Sequence, residues 1–365
     1  MESGKIANLF DLCVSGDGEY VIASVGEAIG RGISPYEYLS KNRNIPGTWI
    51  ASFYKNNKIS DIFSIDVPID YSNLPSPSLV FGVRASFDVF GGLKTAHLFS
   101  DIGRGCVYNC HFCSERIDVT GKPRMLETSY NRLYRQMKEA SQVIYQDYGE
   151  TWGSGFVEDS VFLGGSPNLL SNFSNLMESS PLKFSYGGQF TIDQILSRKN
   201  ELKRLKPLGL DYIFIGLETF DPGEIGGMSK DVGHKKQSWV NRCEEALSFL
   251  HETGIKCGAA VLFGLGETQK SRLSLFDQVK DWRMRYSAPS PVSMNWAVQH
   301  PLASQEMAGN YDYTEWGTPE GPDLEIFHNF GEASLLYPIH GVRTPSLEEL
   351  KEVYTRYQSL SGELS

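Results

Sequence analysis

The sequence predicts an α/β fold built from parallel strand–helix–strand units. Three observations carry this expectation. From about residue 94, short apolar runs alternate with stretches of helical periodicity. Apolar runs such as DSVFLGG end in glycines, where a strand hands over to a turn. About six such units can be counted, too few for a complete eight-unit barrel.

The elements follow in order. AHLFSDI reads as a strand running into a cysteine-rich loop. SYNRLYRQMKEASQVIYQDYG places Leu133, Met137, Ala140 and Ile144 on one helical face. DSVFLGG and LKFSYGGQF are the second and third strands. A charged helix around 193–206 leads to the strand DYIFIGLET. A helix around 238–252 precedes IKCGAAVLFGLGET, and one around 269–286 precedes PVSMNWAVQH. Upstream, VIASVGEAIGRGI reads as a short helix and TWIASFYKN as a strand. YSNLPSPS reads as a linker, because proline blocks helix and Ser and Asn favour turns. The expected divisions are 1–93, 94–300 and 301–365, the last aromatic, glycine-rich and ending in the helical SLEELKEVYTRYQSL.

A chain of 365 residues can bury a full core. Its formal net charge of −10 argues against a general nucleic-acid or membrane-surface binder, which needs clustered Lys and Arg. No apolar run approaches the length of a membrane-spanning helix. MESGKIANLFDL lacks the basic start and apolar stretch of a signal peptide, so a cytoplasmic location is expected.

Of six cysteines, Cys106, Cys110 and Cys113 fall within eight residues, in GRGCVYNCHFCSER. The spacing suits metal ligation in a reducing compartment better than a disulfide framework. Three thiolates on one loop can ligate three irons of a cubane and leave the fourth iron open, as a substrate-coordinating cluster requires. Zinc is the competing metal, with His111 as a fourth ligand, although His111 sits awkwardly between two of the cysteines.

CVYNCHFC, with an aromatic residue before its last cysteine, resembles the cluster loop of the radical S-adenosylmethionine (SAM) superfamily. The resemblance spans roughly 95–300. It implies a partial (β/α)6 TIM-like barrel, with a small N-terminal α/β remnant and a C-terminal extension. It further implies a [4Fe–4S] cluster on Cys106, Cys110 and Cys113. The open iron of that cluster would bind SAM, and one electron would cleave it to methionine and a 5′-deoxyadenosyl radical.

Further motifs extend the likeness. VFLGGSPN resembles the family's glycine motif, which implies that Gly164, Gly165 and Ser166 receive the SAM amino group; Ser166 stands where an acidic residue is common. IFIGLETF resembles a motif facing the ribose or methionine end of SAM, a role that falls to Glu218. AAVLFGLGET resembles the family's GxIxGxxE motif. There Ala260 departs from glycine, Leu262 would pack on adenine, and Glu267 would fix the loop. Phe112, Asn295 and Ala297 are the remaining candidates for adenine contacts. Thr191 stands where nearby subfamilies often carry Arg. Cys257 is a candidate hydrogen donor to a substrate radical, since its strand leads towards the ligand face.

VSGDGEYVIASVGEAI and ISPYEYLSKNRNIPGTW resemble the tail of the cobalamin-binding domain that precedes many of these barrels. No DxHxxG-like ligand motif is present and the upstream stretch is short, so bound cobalamin is not expected. Tyr311, Tyr313, Trp316, His328 and Glu332 are candidates for barrel closure or substrate contact. The reading is an enzyme abstracting hydrogen from a small metabolite or natural-product intermediate. Its electrons would come from a flavodoxin- or ferredoxin-like donor. The alternatives are a cobalamin-dependent methyltransferase, an RNA-modifying enzyme, and a non-catalytic iron–sulfur or zinc protein. No nucleic-acid or membrane partner is expected.

Overall fold

The computed structural model describes residues 10–55, 58–67, 74–100, 106, 108–110, 112–113, 115, 129–164, 166–220, 238–264, 267–296, 312–315, 336–339 and 345–361. The chain forms two compact units, residues 1–74 and 75–365. The break falls inside YSNLPSPS.

In the smaller unit, β1 (Leu12–Gly16), β2 (Gly47–Lys55) and β3 (Lys58–Val67) form an antiparallel sheet in the order β1-β2-β3. Alternation along β2 turns Trp49, Ala51 and Phe53 inwards. They meet Val21 of α1 (Glu19–Gly30) and Leu39 of α2 (Pro35–Lys41) in one small core. Helix α2 starts where proline fits the first turn, and Ser34 Oγ accepts the Glu37 N–H at 3.1 Å.

In the larger unit, six parallel strands run in sequence order: β4 (Thr95–Leu98), β5 (Gly153–Val157), β6 (Phe184–Phe190), β7 (Leu210–Glu218), β8 (Lys256–Phe263) and β9 (Val292–Trp296). This is the curled sheet of a partial TIM-like barrel, as the sequence predicts. The crossovers carry α4 (Ser129–Tyr148), α5 (Pro167–Ser179), α6 (Ile192–Ser197), α7 (Lys199–Leu205), α8 (Trp239–Thr253) and α9 (Gln269–Tyr286). In α4, the predicted Leu133, Met137, Ala140 and Ile144 are all buried. Ser or Thr caps open the helices after the strands: Thr191 for α6, Ser238 for α8 and Thr268 for α9. At Gly209, φ is +104° and an added Cβ would lie 2.0 Å from the Phe184 carbonyl oxygen, so only glycine fits the turn into β7.

The structure moves two expectations. Residues 75–93 belong with the barrel: α3 (Pro77–Phe81) packs on α4, and the Thr95 N–H bonds the Ala85 carbonyl at 2.9 Å. The second barrel strand is GSGFV, ahead of DSVFLGG, because small residues let β5 sit closely under the Leu98, Ile144 and Phe184 side chains. The C-terminal helix α10 (Leu347–Ser361) packs on α9, and Tyr357 donates to the Val292 carbonyl at 3.1 Å beside β9. Short strands β10 (Asp312–Glu315) and β11 (Leu336–Ile339) pair antiparallel. No described helix is long and apolar enough to cross a membrane.

Candidate functional site

A cavity of about 450 Å³ lies against the cluster loop and the C-terminal ends of β5 to β8. That volume falls in the usual range for small-ligand sites. Cys106, Cys110 and Cys113 all line it. The Cys113 N–H bonds the Cys110 carbonyl at 3.0 Å, and the Cys106 N–H bonds the Glu115 carbonyl at 2.7 Å, which folds the loop back on itself. Burial pushes the Cys113 thiol up. A Glu115 backbone hydrogen bond opposes this, while the Cys110, Cys106 and Glu115 charges add to it.

Three thiols this close would repel one another as thiolates. Cationic iron relieves that repulsion, so the donor set fits a cluster. Among the described residues, no three His, Cys, Asp or Glu side chains are arranged around a single metal ion. A cubane instead takes one thiolate on each of three irons. His111 lies outside the described residues.

The root of the loop is held from two sides. Gln136 of α4 accepts the Phe99 N–H at 3.1 Å and donates to the Phe99 carbonyl at 2.6 Å. The Ser100 N–H lies 3.1 Å from each oxygen of Asp159, and its hydroxyl also donates to that carboxylate. Burial pushes Asp159 up to about 6, against the hydrogen bonds from Ser100. On the far side of the cavity, the Tyr108 and Thr191 hydroxyls lie 3.3 Å apart, tying the loop to the cap of α6.

Glu218 reaches the cavity through an irregularity in β7. Gly216 pairs with Ala260 and Glu218 with Val261, so Leu217 is the extra residue. Leu217 is fully buried and its carbonyl accepts the Trp239 indole N–H at 3.0 Å. Glu218 takes φ +56°, a left-handed conformation uncommon for its residue type, and lines the cavity with Phe214, Gly216 and Ala260.

Of the candidates read from sequence, Phe112 and Glu218 line this cavity together with the three cysteines. Leu262 and Asn295 pair across β8 and β9, on the sheet face that also carries Ala260. Glu267 is buried; it accepts the Gly264 N–H and the Arg272 Nε–H, each at 2.8 Å, and so fixes the turn after β8.

Three candidates stand elsewhere. Gly164 and Ser166 line a neighbouring cavity of about 220 Å³, which shares Tyr108, Val161 and Thr191 with the first. Because β5 ends at Val157, the residues that carry it to the main cavity are Glu158, Ser160 and Val161, and Gly164 lines only the neighbouring one. Cys257 is the second residue of β8, near its N-terminal end. It pairs with Ile213 on the face turned to the helices, it is buried, and burial pushes its thiol far up. Its strand does lead to the ligand edge, but Ala260 is the residue that arrives there. Gly165 and Ala297 lie outside the described residues, as do Tyr311, Trp316, His328 and Glu332; of Tyr313 only the backbone is described.

Sequence reasoning passed over Glu158, Ser160 and Gln189 as cavity residues. For Gln189 a signal existed: it is the polar residue next to last in the strand FSYGGQF.

The chain is similar to known proteins in sequence and in fold. The model of the radical SAM superfamily matches residues 100–279. A curated relative, the hopanoid C-3 methylase of Methylococcus capsulatus, is 25% identical over 197 residues, which are 53% of this chain and 33% of that protein. Among solved structures, the radical SAM methyltransferase TsrM of Kitasatospora setae with cobalamin and a [4Fe–4S] cluster matches at TM-score 0.52 and 17% identity, over 88% of this chain and 62% of that one. The same protein with tryptophan substrate and aza-SAM matches at TM-score 0.54 and 16% identity, over 96% and 67%. At these identities the structural likeness speaks for the fold. The chain thus spans about a third of the curated relative and about two thirds of the solved chains.

Proposed function

Residues 100–279 belong to the radical SAM superfamily, and from that premise we propose that this chain cleaves SAM reductively and abstracts hydrogen from a small metabolite or natural-product intermediate. The observation that carries the reading is the meeting of Cys106, Cys110 and Cys113 with Glu218 on one cavity at the C-terminal edge of a parallel sheet. When bound, the cluster and SAM supply a carbon radical made by one-electron cleavage of the S–C5′ bond.

This chain's own residues hold and orient. Cys106, Cys110 and Cys113 would ligate three irons. The Glu218 carboxylate accepts hydrogen bonds from the SAM ribose or its methionine end. Phe112, Ala260 and Leu262 offer apolar surface to adenine, and Asn295 borders it from β9. Gln136 and Asp159 hold the loop root, so that the ligands arrive preorganised. The proposed electron source is a flavodoxin- or ferredoxin-like protein. The proposed organisation takes the catalytic core from the barrel, with 75–93 joined to 94–300, and has 301–365 close the barrel or contact substrate.

The test is anaerobic reconstitution with iron and sulfide, then dithionite and SAM, with 5′-deoxyadenosine as product. We expect product from the native sequence and none from Cys110→Ala. A cluster without SAM cleavage would turn the reading to a metal-binding role.

A second reading has specific support in the names of the relatives, a methylase and a cobalamin-bound methyltransferase. In it, the chain transfers a methyl group with the help of cobalamin. Stoichiometric cobalamin together with S-adenosylhomocysteine formation would favour the second.

A further inference from the structure

One hydrogen-bonded pair at the cavity wall is not used by the reading above. Glu158 stands directly after β5 and lines the cavity with the three cysteines. One of its carboxylate oxygens lies 2.6 Å from His97 Nδ1 on the neighbouring strand β4. At that distance Nδ1–H donates to the carboxylate and fixes its direction. The pair is open rather than sealed: the His97 side chain is 52% exposed and that of Glu158 is 30% exposed. The second carboxylate oxygen keeps acceptor capacity.

An apolar floor lies beside it. The His97 ring meets Phe87 edge-on at 5.8 Å, Phe87 packs on Phe156 at 6.4 Å, and Phe156 packs on Tyr212 at 6.2 Å. Glu115 and Glu218 add two further carboxylates to the cavity wall. Thr191, on the same wall, is uncharged, and no Lys or Arg lines the cavity among the described residues. A fixed carboxylate in a cavity that Phe112, Phe190 and Phe214 also line, beside further carboxylates, is complementary to a cation on an apolar body.

We propose that Glu158, held by His97, receives the ammonium group of a substrate that carries a primary amine on an apolar, aromatic-sized body. The inference rests on the reading that the same cavity holds the cluster and SAM. SAM carries an ammonium of its own, so the test separates the two sources.

The test uses reconstituted holoenzyme, with 2-phenylethylamine and the uncharged 2-phenylethanol as probes. Calorimetry measures each probe in the presence of SAM, and SAM alone in a separate titration. The spectrum of the reduced, SAM-bound cluster is recorded with and without probe. The amine is expected to bind at least about tenfold tighter than the alcohol, the scale of one charged hydrogen bond. It should also perturb the cluster spectrum. Glu158→Gln should abolish that preference. His97→Ala should weaken it, and His97→Asn, which restores a donor near the Nδ1 position, should recover part of it. Equal affinity for amine and alcohol in the native enzyme would overturn the proposal. A tenfold loss of SAM affinity in Glu158→Gln with amine preference intact would also overturn it, and would give the carboxylate to SAM. If the native enzyme makes no 5′-deoxyadenosine in the same preparation, the underlying reading fails instead.

Discussion

At the residue scale, Asp159 is the group whose environment matters most. It is buried, and burial raises its carboxyl from 3.8 to about 6 although Ser100 bonds it. A raised acid is easier to hold protonated in the folded chain than in the unfolded one. Its stabilising contribution is therefore complete below pH 3.8 and is lost as pH rises through about 6. The loss amounts to roughly 3 kcal/mol at neutral pH. Asp159→Asn cannot titrate. Denaturant midpoints at pH 4.5 and 7.5 should therefore show native stability falling relative to the variant over that interval. A constant difference between the two would show that Asp159 titrates normally. Glu218 calls for a different measurement, because its left-handed backbone serves to point a carboxylate. Glu218→Gln should raise the SAM dissociation constant about tenfold, the cost of exchanging charged hydrogen bonds for neutral ones. Iron content should stay unchanged, since the cluster ligands lie on another element.

At the scale of elements, the cluster loop depends on its attachments. Helix α4 reaches Phe99 through both polar ends of Gln136, and the end of β5 reaches Ser100 through Asp159. Gln136→Leu preserves the helix and much of the volume but leaves the Phe99 N–H and carbonyl without that partner. A stability loss of about 1–3 kcal/mol is expected. Iron bound per chain after gel filtration should fall too, which a purely local packing defect would not cause. Much of this layer was legible in the sequence. The α4 stripe, the caps at Thr191 and Thr268, and the β7 and β8 runs carry local signals of period or chemistry. The strand at β5 was misplaced by several residues, because DSVFLGG has the apolar pattern of a strand while GSGFV is rich in small residues. Its glycine and serine positions are explained by close neighbours that sequence does not reveal.

At the scale of the molecule, two units each bury a core of their own. Among the described residues the smaller core has six buried members, Trp49 and Leu39 among them, and small cores are marginal. Ligand binding stabilises whatever folded state holds the ligand. Chelating iron from holoenzyme should therefore lower the unfolding temperature of the unit that contains residues 75–365. Hydrogen-exchange protection in β2 and β3 should stay unchanged. Scanning calorimetry and exchange, with and without chelator, check this.

The sequence by itself determined the candidate cluster ligands, since three cysteines at CxxxCxxC spacing lie on one loop and need no distant partner to be read. It also determined the alternation of strands and helices, which is a matter of local period. Only the tertiary structure decided which residues after β5 meet those cysteines. It put Glu158 beside His97, 61 positions away in the chain, and turned Cys257 to the helices. The physical reason is that a strand's end point and its facing parity are set by packing between elements. A shift of a few residues there exchanges one cavity wall for another.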